Sequence, residues 1–236
     1  MTTPPPLPPD SGGSSSSGTP WERRDQIGVA AGLVETTTQV LSQPESFFRS
    51  MPVSGGLTSP LLYGLLIGYV GLVASTLYSL VFNLTFGGLG GLARHGGPFE
   101  RLAPFMEGGV SLIGNLVFGP VLIAIGLFIS AGILHVMLLL LGGAQRDFEA
   151  TFRVVGYTQA TAILQIVPVC GNIAQIVYGI VVAIIGLSHA QGISKGKAAA
   201  AVLIPIVLVC CCCAAAVGIA AATVAGGLAT ILGHSQ

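Results

Sequence analysis

Two of the long stretches of this chain that carry no formal charge are the residues between Glu107 and Arg146 and those between Arg153 and Lys195. A helix needs about 18 or more apolar residues to cross a bilayer core, and both stretches exceed that. The chain is 52% hydrophobic and 8% charged, where a soluble domain carries about 25% charged residues. That leaves too little polar surface to keep such a chain dispersed in water. The expected fold class is an all-α integral membrane protein that uses the lipid bilayer as solvent. A transmembrane barrel is the poorer reading, because its strands alternate with period two and Val121–Ile129 does not. Formal net charge is zero, so no basic field for nucleic acid exists.

The charged segment between the two apolar stretches, Leu141 to Ala160, reads as a polar shelf joining two membrane helices. Around it the chain divides into three parts. Residues 1–20 are rich in Pro, Ser and Gly and bury too little apolar area to offset their ordering entropy, so a disordered cytoplasmic tail is expected. Residues 21–56 form a lead-in. Its Phe47, Phe48, Arg49 and Met51 combine large apolar groups with a cation, as an amphipathic helix at the headgroups does, and Pro44 suits a helix start. Residues 57–232 form the membrane domain, a bundle of five transmembrane helices at about 60–82, 110–141, 152–168, 172–190 and 198–222. Gly119-Pro120 and Pro205 are expected kinks, and Pro168 ends the third span. Gly64, Gly68 and Gly71 place small residues where another helix can approach, which permits a homo-oligomer or contact with other membrane proteins. The Gly-rich loop at 83–109 has no lysine, so it is not a phosphate loop.

The five cysteines are Cys170 and Cys210–Cys213. All lie in apolar segments, unlike a disulfide framework. Four consecutive helical positions point about 100° apart, which cannot enclose one zinc ion. No metal and no cofactor is implied. No metalloprotease pair or nucleophile elbow occurs, and no span holds a carboxylate for acid–base work. The expectation is therefore not an enzyme. His135 and His189 are the histidines a membrane enzyme would use, and neither has an obvious carboxylate partner. The intramembrane polar candidates are His135, Gln159, Gln165, Gln175 and Tyr178. They could hydrogen-bond a neutral or zwitterionic solute or lipid, the small transporter or channel reading. They could equally hold helices together at roughly 0.6 kcal/mol each. Arg146, Asp147, Phe148, Thr151, Phe152, Arg153, Gly156 and Tyr157 are the candidate partner surface, for a cytoplasmic protein the sequence does not name. The alternative is that Asp147 caps a helix and Arg153 snorkels to the headgroups.

Basic residues fix the expected orientation. Arg23, Arg24, Arg49, Arg146, Arg153, Lys195 and Lys197 fall on the N-terminal side and Arg94 and Arg101 on the other, seven against two. A cytoplasmic N-terminus and an exoplasmic C-terminus follow.

The shelf pattern Gly142-Gly143, Phe148, Thr151-Phe152-Arg153 and Gly156-Tyr157 resembles the Yip domain family. So do Pro44-Glu45-Ser46-Phe47-Phe48 ahead of the first span, and Gly186-Leu187-Ser188-His189-Ala190 with Ile193-Ser194-Lys195 ahead of the last. The resemblance runs roughly from Leu41 to Ala222. It implies a multispanning membrane protein of a family not known as enzymes, whose eukaryotic members bind small GTPases and one another. The Asp-Leu-Tyr-Gly-Pro-type motif of that branch is missing. The resemblance therefore implies a bacterial-type member in the inner membrane, a scaffold or adaptor of unassigned activity.

Overall fold

The computed structural model describes residues 18–82, 85, 98–168 and 170–233. The expected disordered tail up to residue 17 and most of the Gly-rich loop lie outside the described residues. The elements run α1 (Arg24–Ile27), α2 (Val29–Ser42), α3 (Pro44–Ser50), α4 (Thr58–Phe82), α5 (Pro98–Leu140), α6 (Phe148–Thr158), a 3-10 segment (Gln159–Ile166), α7 (Cys170–Gln191) and α8 (Lys195–Gly233). No strand occurs among the described residues.

Four helical stretches are long and apolar enough to cross a bilayer: Thr58–Phe82, Leu112–Leu140, Cys170–Gln191 and Lys195–Ile219. Both α5 and α8 are continuous through Pro120 and Pro205.

The expected third span is built differently. It is the short α6 continued by the 3-10 segment, whose i→i+3 ladder is tighter and rises faster per residue. Thr161 supports that spacing by donating its hydroxyl to the Thr158 carbonyl three residues back, at 2.9 Å. This composite rod follows α4 in the same direction. A methyl on Gly156 would lie 2.7 Å from the Pro60 carbonyl, and one on Gly71 2.7 Å from the Ala162 carbonyl. Further along, the Tyr78 hydroxyl donates to the Ile166 carbonyl. On the other side α5 runs back along α4, with Leu127 against Gly64 and Ile123 against Gly68, and Tyr69 donating to the Leu116 carbonyl at 3.0 Å. The small residues of α4 thus seat two neighbours from the same chain.

The lead-in is a correction to the interfacial reading. Trp21, Phe47, Phe48 and Met51 are at most 4% exposed, packed within the protein core with Tyr63, Val154 and Tyr157. Phe48 fills the space left by Gly186, where a methyl would meet Val154 at 2.6 Å and the Phe48 ring at 3.1 Å. A pattern of large apolar groups beside a cation demands an apolar cover, but not whether lipid or protein supplies it. Thr19 and Pro20, which fall within the expected tail, are buried.

Candidate functional site

Glycine sets the shelf's first turn and the turn between α7 and α8 beside it. Gly142 (φ 62°) and Gly192 (φ 66°) take left-handed backbone just past α5 and α7, a conformation that costs other residues a steric penalty. Gly143 N–H donates to the Leu138 carbonyl at 2.7 Å, and Ile193 N–H to the Ser188 carbonyl at 3.0 Å. These six-to-one bonds are Schellman caps that satisfy the last helical carbonyls. They turn two loops toward each other, and Lys197 Nζ joins them by donating to the Gly142 carbonyl at 3.3 Å.

Arg146 and Asp147 are exposed in this loop pair, and Phe148 is half-buried. Asp147 occupies the N-cap position of α6, though no side-chain bond caps the helix. The other shelf residues point inward: Thr151, Phe152, Arg153, Gly156 and Tyr157 are all buried. The structure therefore divides the set into two exposed charges and an internal brace.

Arg153 does not snorkel. It is 0% exposed, and each of its three guanidinium nitrogens makes a bond. Nε donates to the Pro52 carbonyl at 2.6 Å and Nη1 to the Gly56 carbonyl at 3.2 Å, while Nη2 pairs with the Glu22 carboxylate. A buried charge persists only when paired and hydrogen-bonded in this way. Glu22 in turn accepts from Thr19 N–H at 2.9 Å, and the Thr19 hydroxyl shares a 3.0 Å bond with the Tyr157 hydroxyl. Trp21 locks the same strap by donating its indole N–H to the Ser59 carbonyl at 2.8 Å and its backbone N–H to the Thr36 hydroxyl at 2.9 Å. Residues 19–24 are thus strapped across the near end of the bundle.

A second network ties α5, α6 and α7. Arg146 N–H donates to Gln191 Oε1 at 2.7 Å, Gln191 Nε2 donates to the Thr151 hydroxyl at 3.0 Å, and that hydroxyl lies 3.0 Å from His135 Nδ1. His135 is therefore a helix-to-helix link. His189 Nε2 is buried without a hydrogen-bond partner among the described residues. Three of the remaining intramembrane candidates, Gln165, Gln175 and Tyr178, also bond within the protein. Gln165 donates to Gln175, and Tyr178 donates to the Leu41 carbonyl. Gln159 packs its side chain against Gly64.

The exposed Glu45 carboxylate pairs with Lys195. The hydrogen bond from Lys195, and then its charge, hold that carboxyl below the ordinary carboxylate value. Among the described residues no group of His, Cys, Asp and Glu could hold a metal ion.

Sequence reasoning missed Thr19, Trp21, Glu22 and Gln191. Glu22 pairs with a residue 131 positions away, which no local period reports. The available signal was the single tryptophan beside charge at the presumed edge of a disordered tail, since Trp seldom stays in solvent.

The model of the Yip1 domain family matches residues 38–217. Neither a curated protein nor a solved structure matches the chain.

Proposed function

The chain belongs to the Yip1 domain family, and from that premise we propose a non-enzymatic scaffold or adaptor that presents a charged cytoplasmic face to a protein partner. The observation that carries this reading is the sorting of the shelf. Its interior residues are consumed by internal bonds, while Arg146 and Asp147 stay exposed beside the Lys195–Lys197 turn. An exposed mixed-charge loop held between Schellman-capped helices suits recognition, which favours polar groups placed by a fixed scaffold.

The proposal includes five crossings, with the α6 and 3-10 rod as the third. Eleven residues at about 1.5 Å and eight at about 2.0 Å give roughly 32 Å, close to the 30 Å hydrocarbon thickness. Its course beside α4 supports the same reading. Backbone that departs from the α ladder is tolerated at membrane depth where protein covers it. With five crossings and the basic loops inside, the N-terminus is cytoplasmic and the C-terminus exoplasmic, in a bacterial inner membrane. Self-association through the exposed faces of α5 and α8 is compatible with this arrangement.

The test is site-specific photocrosslinking from positions 146 and 195 in native membranes, with position 219 as control. A defined protein captured at the first two and not at the third supports the adaptor. Solute flux in proteoliposomes that is lost on Gln159→Leu with Gln175→Leu would replace it with the transporter.

A further inference from the structure

Arg23 stands apart from the other described cations. Arg153 is buried and Arg24 part-buried, and both are partnered, Lys195 and Lys197 are exposed and partnered, and Arg49 and Arg146 face solvent. Arg23 is part-buried, and its Nε is fully buried with no hydrogen-bond partner among the described residues. An unmet buried donor is destabilising, the more so when charged, and such groups in native folds point to something that satisfies them.

Arg23 lines a cavity of about 420 Å³ between the strap and the α2–α3 pair. Its other polar walls include Gln39, Gln43, Ser46 and Ser50, with no carboxylate among the lining residues. The nearest acid in sequence, Glu22, is committed to Arg153 and Thr19. Gln39 spends its amide on Glu35 and Ser50 its proton on the Phe47 carbonyl. That leaves the Gln43 amide and the Ser46 hydroxyl as unspent donors facing the same space as Arg23. A guanidinium with its Nε buried, and exposed neutral donors from Gln43 in the α2–α3 link and Ser46 of α3, suit an oxyanion with several acceptor oxygens. The cavity falls within the size range of small-ligand sites, so it has room for a group attached to that anion.

We propose that the Arg23 cavity binds a phosphate-bearing ligand, anchored by the guanidinium and oriented by Gln43 and Ser46. Because the strap forms one wall and α2–α3 the other, the bound phosphate clamps the strap shut. The phosphate belongs either to a lipid headgroup or to a free phosphate compound.

The experiment uses the full chain in nanodiscs. One arm holds phosphatidylcholine with a phosphatidic acid fraction. The other holds phosphatidylcholine alone and is titrated with inorganic phosphate against chloride at matched ionic strength. Thermal midpoint and lipid retained in native mass spectrometry are read for wild type, Arg23→Gln, Arg23→Lys and Arg49→Gln. A ligand that binds only the folded state raises the midpoint in a saturable way. Expected is such a rise, or retained phosphatidic acid, in one arm. The arm that responds identifies the source. Arg23→Gln should weaken the response at least tenfold, Arg23→Lys should retain part of it, and Arg49→Gln should leave it within twofold. No response in either arm, or equal loss in Arg23→Gln and Arg49→Gln, overturns the proposal. The unliganded midpoint of Arg23→Gln separates lost binding from lost folding.

Discussion

The two ends of this chain solve the burial problem in opposite ways. Near the strap, Arg153, Tyr157, Tyr63 and Gln191 are 0% exposed, and each of these four hydrogen-bonds to a group of the same chain. Along α8, among the described side chains, the buried ones lie in the first turns, at Ala198, Ala201 and Val202. Val207, Val209, Val217 and Ile219 are each more than half exposed. One region carries its own solvent of hydrogen bonds and aromatic contacts, and the other is dissolved by lipid. Stability should therefore be sensitive to composition at the first and nearly indifferent at the second.

The largest effect is expected at the buried ion pair. Glu22→Ala leaves Arg153 charged, buried and short of a partner. Removing one member of a buried pair costs about 3–5 kcal/mol, to be read from unfolding in mixed micelles. Arg153→Met combined with Glu22→Leu should recover most of that loss, because two apolar groups leave no orphaned charge. A Glu22→Ala cost below about 1 kcal/mol would mean the strap is not a structural brace.

The same glycine substitution should change sign between the regions. Gly156→Ala drives a methyl to 2.7 Å from the Pro60 carbonyl, against backbone that cannot rotate away, and overpacking of that kind costs about 1–3 kcal/mol. Gly132→Ala on α5 meets nothing within 4 Å. Removing an interior helical glycine there should stabilise by roughly 0.5–1 kcal/mol. Two substitutions of equal sign would show that lipid or a second copy packs on Gly132 as tightly as Pro60 packs on Gly156.

What the sequence made legible follows the same division. Absence of charge over long runs dictates lipid as solvent, so α4 and α7 were legible within about two residues of their ends, whereas α5 begins at Pro98 and α8 runs on to Gly233, well beyond the expected spans. The shelf was visible because Gly142, Asp147 and Arg153 break that uniformity. Its inward half was not, since an arginine at a membrane boundary looks the same whether it faces headgroups or Glu22. The lead-in failed for a related reason: Phe47 and Phe48 specify an apolar neighbour without saying that Gly186 has made room for it. The 3-10 course of Gln159–Ile166 has no period of its own over eight residues, and depends on close packing against Gly71.

A smaller effect is expected from the cysteine run. Cys210–Cys213 are all exposed on the sparsely packed part of α8, so changing all four to Ala should move the unfolding midpoint by less than about 0.5 kcal/mol, as surface substitutions do. A larger loss would reveal that α8 packs on a partner through this turn, and would weaken the contrast between the two ends.

The smallest effect belongs to the exposed Glu45–Lys195 pair, which joins the lead-in to the first turn of α8. Its carboxyl titrates below the ordinary value because Lys195 donates to it and lies close by in charge. A depressed folded-state value means that the pair's contribution is present above the unfolded carboxylate range and disappears as pH falls through the folded value. Wild type should therefore lose slightly more stability than Glu45→Gln between neutral pH and about pH 3.5, within the carboxylate range. The difference should shrink in high salt, because exposed charges are screened. Identical acid limbs for the two proteins would show that this surface contact contributes nothing, and that the lead-in is held by Phe47, Phe48 and the Glu22–Arg153 brace alone.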